Sequence, residues 1–462
     1  MQNLFKQEHP KGLYLLFFVE MWERFSFYGM RALLVLYMVQ GLMFSAQKAG
    51  NIYGIYTGLV YLTPLIGGYL ADRYFGQRKC ITAGAVLMSF GLFILAFGPK
   101  SLFLLSLFLM ICANGCFKSN ISSVLGLLYG DDNSKKDSAF TIFYMGINLG
   151  ALLSPLVCGT LAIKFGFVWG FASAGIGMLI GLFLYKISED KFLGDKGLLP
   201  VQKEEVRNVE SEENGSSKFA ALVILMLFTI PFWICFEQAG SSLTLFAEYQ
   251  TNRVLFGHEI PTGYFQSLNP MFIILLAPLM SGLWGWLSKQ EQKAQRDISP
   301  QTDKRFNVTS KLDSIYAVIL RCKPKNLIKL KEPTSVEKFA IALLLMSISY
   351  VIMIFAGKYA ETSLISPLWL VAGYFVMTVS ELCLSPIGLS LVSKLAPRRF
   401  LSLTMGCWFL TCFIGDTLAG FWGGKYETLS AVQLFTPLAV LSFTAFLILL
   451  FLIPRFNKML KM

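Results

Sequence analysis

Apolar residues fill this chain in long runs, and shorter polar segments separate the runs. The runs reach about twenty residues, enough for a helix to cross a hydrocarbon layer about 30 Å thick. They predict membrane helices at 12–40, 51–72, 79–98, 102–127, 138–163, 167–187, 219–247, 264–288, 337–356, 364–391, 401–423 and 431–453. The pattern therefore predicts an all-α integral membrane protein with twelve transmembrane helices.

Two longer polar segments interrupt the apolar runs. Residues 188–218 divide the runs six and six, and residues 289–336 separate the eighth run from the ninth. Six plus six helices are typical of transporters built from two related halves, with the substrate between them. We therefore predict an N-terminal six-helix bundle at 1–187, a cytoplasmic linker, and a C-terminal bundle at 219–462 that carries a cytoplasmic insertion. Within the insertion, 315–320 is either a short surface helix or part of a solvated loop.

The distribution of charge gives the orientation. Only 15% of the residues are charged, against about 25% in soluble domains, and 55% are hydrophobic. Basic loops stay cytoplasmic, and the Lys and Arg residues concentrate in every second loop. The segments predicted outside hold only Lys48, Lys100, Lys164, Arg253, Lys358 and Lys425. We expect a multi-pass protein of the cell (inner) membrane with both termini cytoplasmic, and the net charge of +12 needs no nucleic acid to explain it.

The motifs of the common enzyme classes are missing from the sequence. It contains no nucleophile elbow, no nucleotide-binding loop and no metal-ligand set, and its nine cysteines show no metal spacing. We expect no enzyme activity, no metal and no cofactor. The first run lacks a small-residue cleavage site, so we expect it to stay as a membrane helix.

Charged side chains lie inside the apolar runs. One face of the first helix carries a stripe about 16 Å long, made by Glu20, Glu23, Arg24, Tyr28 and Arg31. Later runs add four charges, Lys118, Glu237, Glu381 and Asp416. Each such charge costs on the order of 3 kcal/mol at the bilayer midplane. The charges therefore need mutual pairing and a wet cavity, which indicates a transporter.

The loop after the second run reads Gly68-Tyr-Leu-Ala-Asp72-Arg73-Tyr-Phe-Gly76-Gln-Arg78-Lys79. Its glycines allow a tight turn, and Asp72 at the helix end can pair with basic groups across the inner mouth. The string resembles the signature loop of the major facilitator superfamily. That resemblance implies the twelve-helix fold, rocking alternating access, and a gating role for Asp72 and Arg73.

Further strings point to one family within that superfamily. The strings are Glu20-x-x-Glu23-Arg24-Phe25-x-x-Tyr28-Gly29, Tyr61-Leu-Thr-Pro64, Phe143-Tyr144, Phe232-Trp233-Ile-Cys-Phe236-Glu237-Gln238, Gln266-Ser-Leu-Asn269-Pro270 and Glu381-Leu-Cys-Leu-Ser385-Pro386. They resemble the proton-dependent oligopeptide transporters. The resemblance implies proton-driven import of di- and tripeptides, with the proton as coupling ion and a monomer as the working unit.

The resemblance also implies roles for individual residues. The peptide carboxylate would meet Arg31 and Lys118, supported by the amides of Asn148 and Asn269. The peptide ammonium would meet Glu381, with Ser385 one turn away. Aromatic walls for varied side chains would come from Tyr28, Tyr61, Trp233 and Trp408, although ordinary helix packing is the alternative for any one of them.

Proton coupling requires a carboxylate that changes protonation during the cycle. Glu237 is the first candidate, and we hypothesise that its protonation breaks an ion pair with Arg24. Glu20 and Glu23, paired with Lys118 and Arg24, form a second candidate relay. For this second group, coupling and structural locking stay equal alternatives.

The sequence departs from the family pattern at three positions. Ser119 stands where proline is common, and Phe27 where a second tyrosine is common. Asp416 stands where an uncharged amide is expected, as an added titrating site or as a water-facing residue near a mouth. Two alternatives to peptide import stay open: another cargo, such as a peptide-like antibiotic or an organic anion, and a non-transporting receptor or scaffold.

Overall fold

The computed structural model describes residues 9–130, 133–200, 215–255, 257–298, 332–395 and 401–460. Helices α1 to α6 span Lys11–Leu36, Ala46–Leu70, Gln77–Phe97, Phe103–Tyr129, Asn133–Phe165 and Phe167–Leu193. Helices α7 to α10 span Gly215–Leu227, Thr229–Phe236, Ser242–Tyr249 and Leu268–Ile298, with 3₁₀ turns at Glu237–Gly240 and Thr262–Ser267. Helices α11 to α14 span Ser335–Ala360, Leu368–Leu395, Leu401–Gly423 and Ala431–Leu460.

The predicted membrane helices coincide with these helices. Within the described ranges, ten helical segments are long and apolar enough to cross a membrane. The first and eleventh predicted runs are also helical, as α1 and α13. Four charged residues inside α1, Glu20, Glu23, Arg24 and Arg31, lower its mean hydropathy, so its burial depends on tertiary partners for those charges. The predicted all-α membrane fold is confirmed.

The seventh predicted run is the one that differs most from a continuous helix. Three short helices, α7, α8 and α9, replace it, with the 3₁₀ turn at Glu237–Gly240 between the last two. Pro231 lacks an N–H and therefore leaves the carbonyl of Leu227 without its helical donor, which accounts for the interruption at Phe228. Because of these breaks, Glu237 begins a tighter turn rather than lying in regular α-helix.

One helix boundary and one hairpin also differ from the sequence prediction. Helix α10 runs to Ile298 and so extends into the predicted insertion at 289–336. The rest of that insertion up to 331, including 315–320, and residues 201–214 of the predicted linker lie outside the described residues. A short antiparallel hairpin pairs Val254–Leu255 with His258–Glu259. The sequence analysis did not predict this hairpin. Gly257, which adopts a φ of 79° at the turn, was a local signal for it.

Two compact units make up the chain, residues 1–274 with 335–462, and residues 275–334. In the first unit α1 packs on α5 and α6, α3 on α4 and α6, α11 on α12 and α14, and α2 on both α4 and α13. The contact between α2 and α13 joins residues from before and after the polar linker. A Cβ at Gly54 would lie only 2.7 Å from the carbonyl oxygen of Thr417, so the two backbones touch here.

Candidate functional site

A cavity of about 350 Å³ lies within the first unit and is lined by side chains of α1, α2, α4, α5, α8, α10, α12 and α13. Its volume lies in the range of small-molecule sites, about 300–1,000 Å³. All ten residues predicted to bind substrate line this cavity: Tyr28, Arg31, Tyr61, Lys118, Asn148, Trp233, Asn269, Glu381, Ser385 and Trp408. The tertiary structure thus brings together side chains that are spread over more than 370 residues.

Arg31 and Glu237 form a buried ion pair at the cavity wall. The guanidinium Nη2 donates to Glu237 Oε2 at 2.7 Å, and the side chains are 9% and 2% exposed. Tyr53 connects the two residues, because its hydroxyl accepts from Arg31 Nε at 2.8 Å and donates to Glu237 Oε2 at 3.3 Å. The two charges and the hydroxyl satisfy one another in a place that water solvates poorly.

The hypothesis that Glu237 pairs with Arg24 is wrong for this structure. Arg24 instead pairs with Glu20, Nε to Oε1 at 3.3 Å, and makes two hydrogen bonds to Glu23. The acids that neutralise Arg24 lie one and four residues away on its own helix, so its charge is balanced locally. Arg31 lies about 10 Å further along α1, where it meets the broken seventh run.

Lys118 lies apart from these ion pairs. Its ammonium is 4.2 Å from the centroid of the Tyr61 ring, a cation–π contact. None of the ion pairs found in the described part of the chain, within 4.0 Å, includes Lys118. The expected direct pairing of Lys118 with Glu20 and Glu23 is therefore not present, while the pairing of both acids with Arg24 is confirmed.

Glu381 provides the negative charge on α12. It accepts a hydrogen bond from Asn269 Nδ2 at 2.8 Å, and Asn269 also donates to Thr378 Oγ1 at 3.2 Å. In this structure the amide of Asn269 is bound to the acid and not to either cation, and its support of the peptide carboxylate stays a prediction. Asn148 donates to the carbonyl of Tyr144 one turn earlier and also lines the cavity. The hydroxyl of Ser385 has no partner within the described ranges.

Several residues of the site were missed by the sequence analysis. Tyr144, Gln266 and Tyr374 also line the cavity. The first two lie in strings that were already singled out, so the signal for them was available. Tyr53 lies eight residues before Tyr61 on α2, and this helical spacing was a signal for a second polar group on that face.

The residues predicted to gate the inner mouth are bound locally. Asp72 accepts from Gln77 Nε2 at 2.8 Å, within its own loop, and Arg73 is exposed beside the Tyr74 ring. Arg78 of the same loop is the buried cation, 3% exposed. It bonds Glu189 at 3.1 Å, Asp190, and the carbonyl of Gly194 at 2.8 Å. This loop is therefore tied to the end of α6.

Asp416 is completely buried in α13, with an exposed fraction of 0%. The alternative of a water-facing residue near a mouth is therefore wrong for this structure. Neither carboxyl oxygen has a hydrogen-bond partner among the described residues. Cys412, one turn earlier on the same helix, lines the cavity.

Hydrogen bonds also connect residues before the linker with residues after it. Thr160 Oγ1 lies 2.8 Å from the hydroxyl of Tyr264, and Ser267 donates to the carbonyl of Leu152 at 2.9 Å. Gln40 donates to Glu248 at 3.0 Å. These contacts involve the ends of α1, α5 and α9 that the charge distribution predicts to face outside. At that end, residues from before and after the linker are therefore held together.

Comparisons with known proteins agree with this arrangement. The family model described as "POT family" matches residues 78–197, 200–308 and 312–431. The uncharacterized transporter YclF of Bacillus subtilis is 32% identical, over 98% of this chain and 95% of the relative. The di-/tripeptide transporter of Lactococcus lactis subsp. lactis is 32% identical, over 89% of each chain. The crystal structure of the peptide transporter POT in complex with sulfate superimposes with a TM-score of 0.83 at 30% identity, over 98% of this chain and 96% of that one.

Proposed function

Because the chain belongs to the POT family of transporters, with their major facilitator fold, we propose that it imports di- and tripeptides together with protons. It is a multi-pass membrane transporter and not an enzyme. We assign it to the cell (inner) membrane, with both termini in the cytoplasm, as a monomer that needs no cofactor. The helices before and after the linker act as two bundles that rock about the cavity.

One observation carries the choice of peptides. Arg31, Lys118 and Glu381 line the same cavity, yet Glu381 forms no ion pair with either cation within the part of the chain that the structure describes. Opposite charges that share a small cavity without pairing suit a ligand that carries both charges. A simple organic anion has no use for Glu381, and a scaffold has no use for any of the three.

The peptide ends then find matching partners. Lys118 and Arg31 receive the carboxylate, and Glu381 receives the ammonium, through charge-assisted hydrogen bonds about twice as strong as neutral ones. Side chains of varied size contact the rings of Tyr28, Trp233 and Trp408. Recognition of the two charged ends leaves the side-chain contacts nonspecific, which allows many different dipeptides to bind.

The ion pair between Arg31 and Glu237 supplies the coupling step. When Glu237 is ionised, it neutralises Arg31 and competes with the peptide carboxylate for the same guanidinium. A proton on Glu237 removes that competition and frees Arg31 for the peptide. Proton binding and peptide binding therefore favour each other, and by linkage the effect is reciprocal.

The charges near the start of α1 form the second candidate relay. Glu23 is fully occupied by Arg24, whereas Glu20 Oε2 has no partner within the described residues. Glu20 is therefore the acid of this pair that has room to exchange a proton. A purely structural lock that holds α1 in place is the alternative.

The experiment is uptake of radiolabelled dialanine by proteoliposomes, with and without an inward proton gradient. Import of peptide would give accumulation above equilibrium only with the gradient, and exchange of labelled for unlabelled peptide without it. Binding without accumulation or exchange would indicate a receptor. No effect of dialanine, alongside accumulation of a carboxylate that lacks an ammonium, would indicate an anion transporter.

A further inference from the structure

The carboxyl group of Asp416 lies at the contact between three helices. The backbone of α13 at Gly415–Thr417 touches Gly54 of α2 on one side and the Cβ of Trp233 of α8 on the other. The residue has no exposed surface, and both carboxyl oxygens lack a partner within the described ranges. A buried polar group without a partner is uncommon in native structures and calls for a reason.

An ionised carboxylate is poorly suited to this position. Buried charges are normally paired, since an unpaired ion loses its hydration without compensation. Arg31, whose guanidinium acts on Asp416, already bonds Glu237. Ionising both Asp416 and Glu237 would bring two negative charges together, while Arg31 is already paired and the ammonium of Lys118 lies at the Tyr61 ring. A neutral, protonated Asp416 avoids that cost.

Groups on several helices interact electrostatically with Asp416. They are Glu237 at the α8 end, Arg31 of α1, Lys118 of α4, Tyr53 and Tyr61 of α2, and Cys412 of its own helix. Three of these, Glu237, Arg31 and Lys118, are the groups to which peptide and proton binding are assigned above. The charge on Asp416 is therefore sensitive to the state of the binding cavity.

We propose that Asp416 is a second proton-carrying carboxyl of the transport cycle. It holds a proton in the conformation described here, in which Glu237 is paired to Arg31. The proton comes from water on the outer side, forms an O–H bond with the carboxylate, and leaves to water on the cytoplasmic side. This inference rests on the proposed function, because it assigns part of the proton movement of that function to a residue outside the peptide contacts.

The transport test replaces the acid by its amide, Asp416→Asn, in proteoliposomes. The number of protons moved per peptide falls by about one, so the limiting accumulation of dialanine in a gradient of about one pH unit falls about tenfold. Exchange of labelled for unlabelled dialanine continues. The matched control is Thr417→Val, which removes the neighbouring hydroxyl, without a partner in the described residues, and no titrating group. The number of protons that this control moves per peptide stays at the wild-type value.

The proposal is overturned if an Asp416→Asn variant that still exchanges dialanine moves as many protons per peptide as wild type. Infrared spectroscopy gives a readout that does not depend on transport. A carbonyl stretch of a protonated carboxylic acid, present in wild type and Thr417→Val, disappears in Asp416→Asn if the proposal is correct. If wild type and Asp416→Asn give the same band, the proposal is wrong even where the variant is inactive. Wild type that fails to exchange dialanine contradicts the proposed cargo instead, and the infrared result still reports on Asp416.

Discussion

Arg31 and Glu237 are 206 residues apart in the sequence and form an ion pair of 2.7 Å across the cavity wall. The hydroxyl of Tyr53 bonds both side chains, at 2.8 Å and 3.3 Å. The pair joins α1, which carries the charged stripe, to the turn that interrupts the seventh membrane run. A change of charge on Glu237 therefore acts directly on a guanidinium that lines the peptide cavity.

Replacing Glu237 by glutamine should separate transport from proton coupling. The amide keeps the shape of the side chain but carries no proton through the cycle, so accumulation driven by a pH gradient falls strongly. Exchange of labelled for unlabelled dialanine continues, because no net proton movement is needed. Both are measured in the same proteoliposomes. Full proton-driven accumulation by Glu237→Gln would contradict the proposed role of Glu237 in proton coupling.

The hydroxyl of Tyr53 should contribute to stability as well as to the ion pair. Tyr53→Phe leaves the Arg31 Nε without its acceptor and takes a donor from Glu237, at a cost of about 1–3 kcal/mol. The matched control is Tyr56→Phe on the same helix, whose buried hydroxyl has no partner in the described residues. Thermal unfolding in detergent should show a lower midpoint for the first variant only. Equal midpoints for the two variants contradict the bridging role.

Glu381 should recognise the amino end of the peptide. Glu381→Gln removes a charge-assisted contact worth about 1.5–3 kcal/mol, so the apparent affinity for dialanine should fall about 10- to 150-fold. Acetylated dialanine has no ammonium, and its weak inhibition of uptake should not change. Competition assays measure both. The control Glu361→Gln removes an exposed acid and should change neither value. Equal losses for both peptides in Glu381→Gln indicate damage to the cavity rather than lost recognition.

Replacing Glu23 tests whether the charges near the start of α1 form a second proton relay. Glu23→Gln removes one of two acids that neutralise Arg24 and leaves Glu20 at 3.3 Å. If the group carries protons, gradient-driven uptake of dialanine falls strongly while exchange persists. A variant that accumulates dialanine normally rules out Glu23 as a proton carrier and leaves either Glu20 alone or the structural lock. A lower thermal unfolding midpoint with both transport modes reduced in parallel also supports the lock.

The loop after α2 should depend on Arg78 more than on Arg73. Arg78→Gln leaves the buried carboxylate of Glu189 and the carbonyl of Gly194 with fewer donors. The free energy of unfolding should fall by about 1–3 kcal/mol. Arg73→Gln changes an exposed residue and should stay within about 0.5 kcal/mol of wild type. Chemical unfolding in detergent compares the two, and the reverse order would contradict the assignment.

Sequence reasoning reached most of the candidate site. The apolar runs predicted the helices, because hydrocarbon admits only backbone that satisfies its own hydrogen bonds. The cost of charge in a membrane singled out Glu20, Arg24, Arg31 and Glu237 as functional candidates. Motif resemblance added the residues that line the cavity, all of which the structure brings to one place. Tyr144 and Gln266, inside the recognised strings, could have been added from the same signal.

Which of these charged side chains form ion pairs with each other could not be predicted from the sequence. Helical periodicity gives the face on which Arg24 and Arg31 lie, but their partner depends on the height and rotation of helices that are distant in the chain. The breaks in the seventh run and the two acids beside Arg24 assign Glu237 to Arg31. The same dependence on neighbours buries Asp416, since α13 packs closely against α2 and α8 at this position. Sequence alone determined which charges enter the membrane; the tertiary structure decided which of them meet.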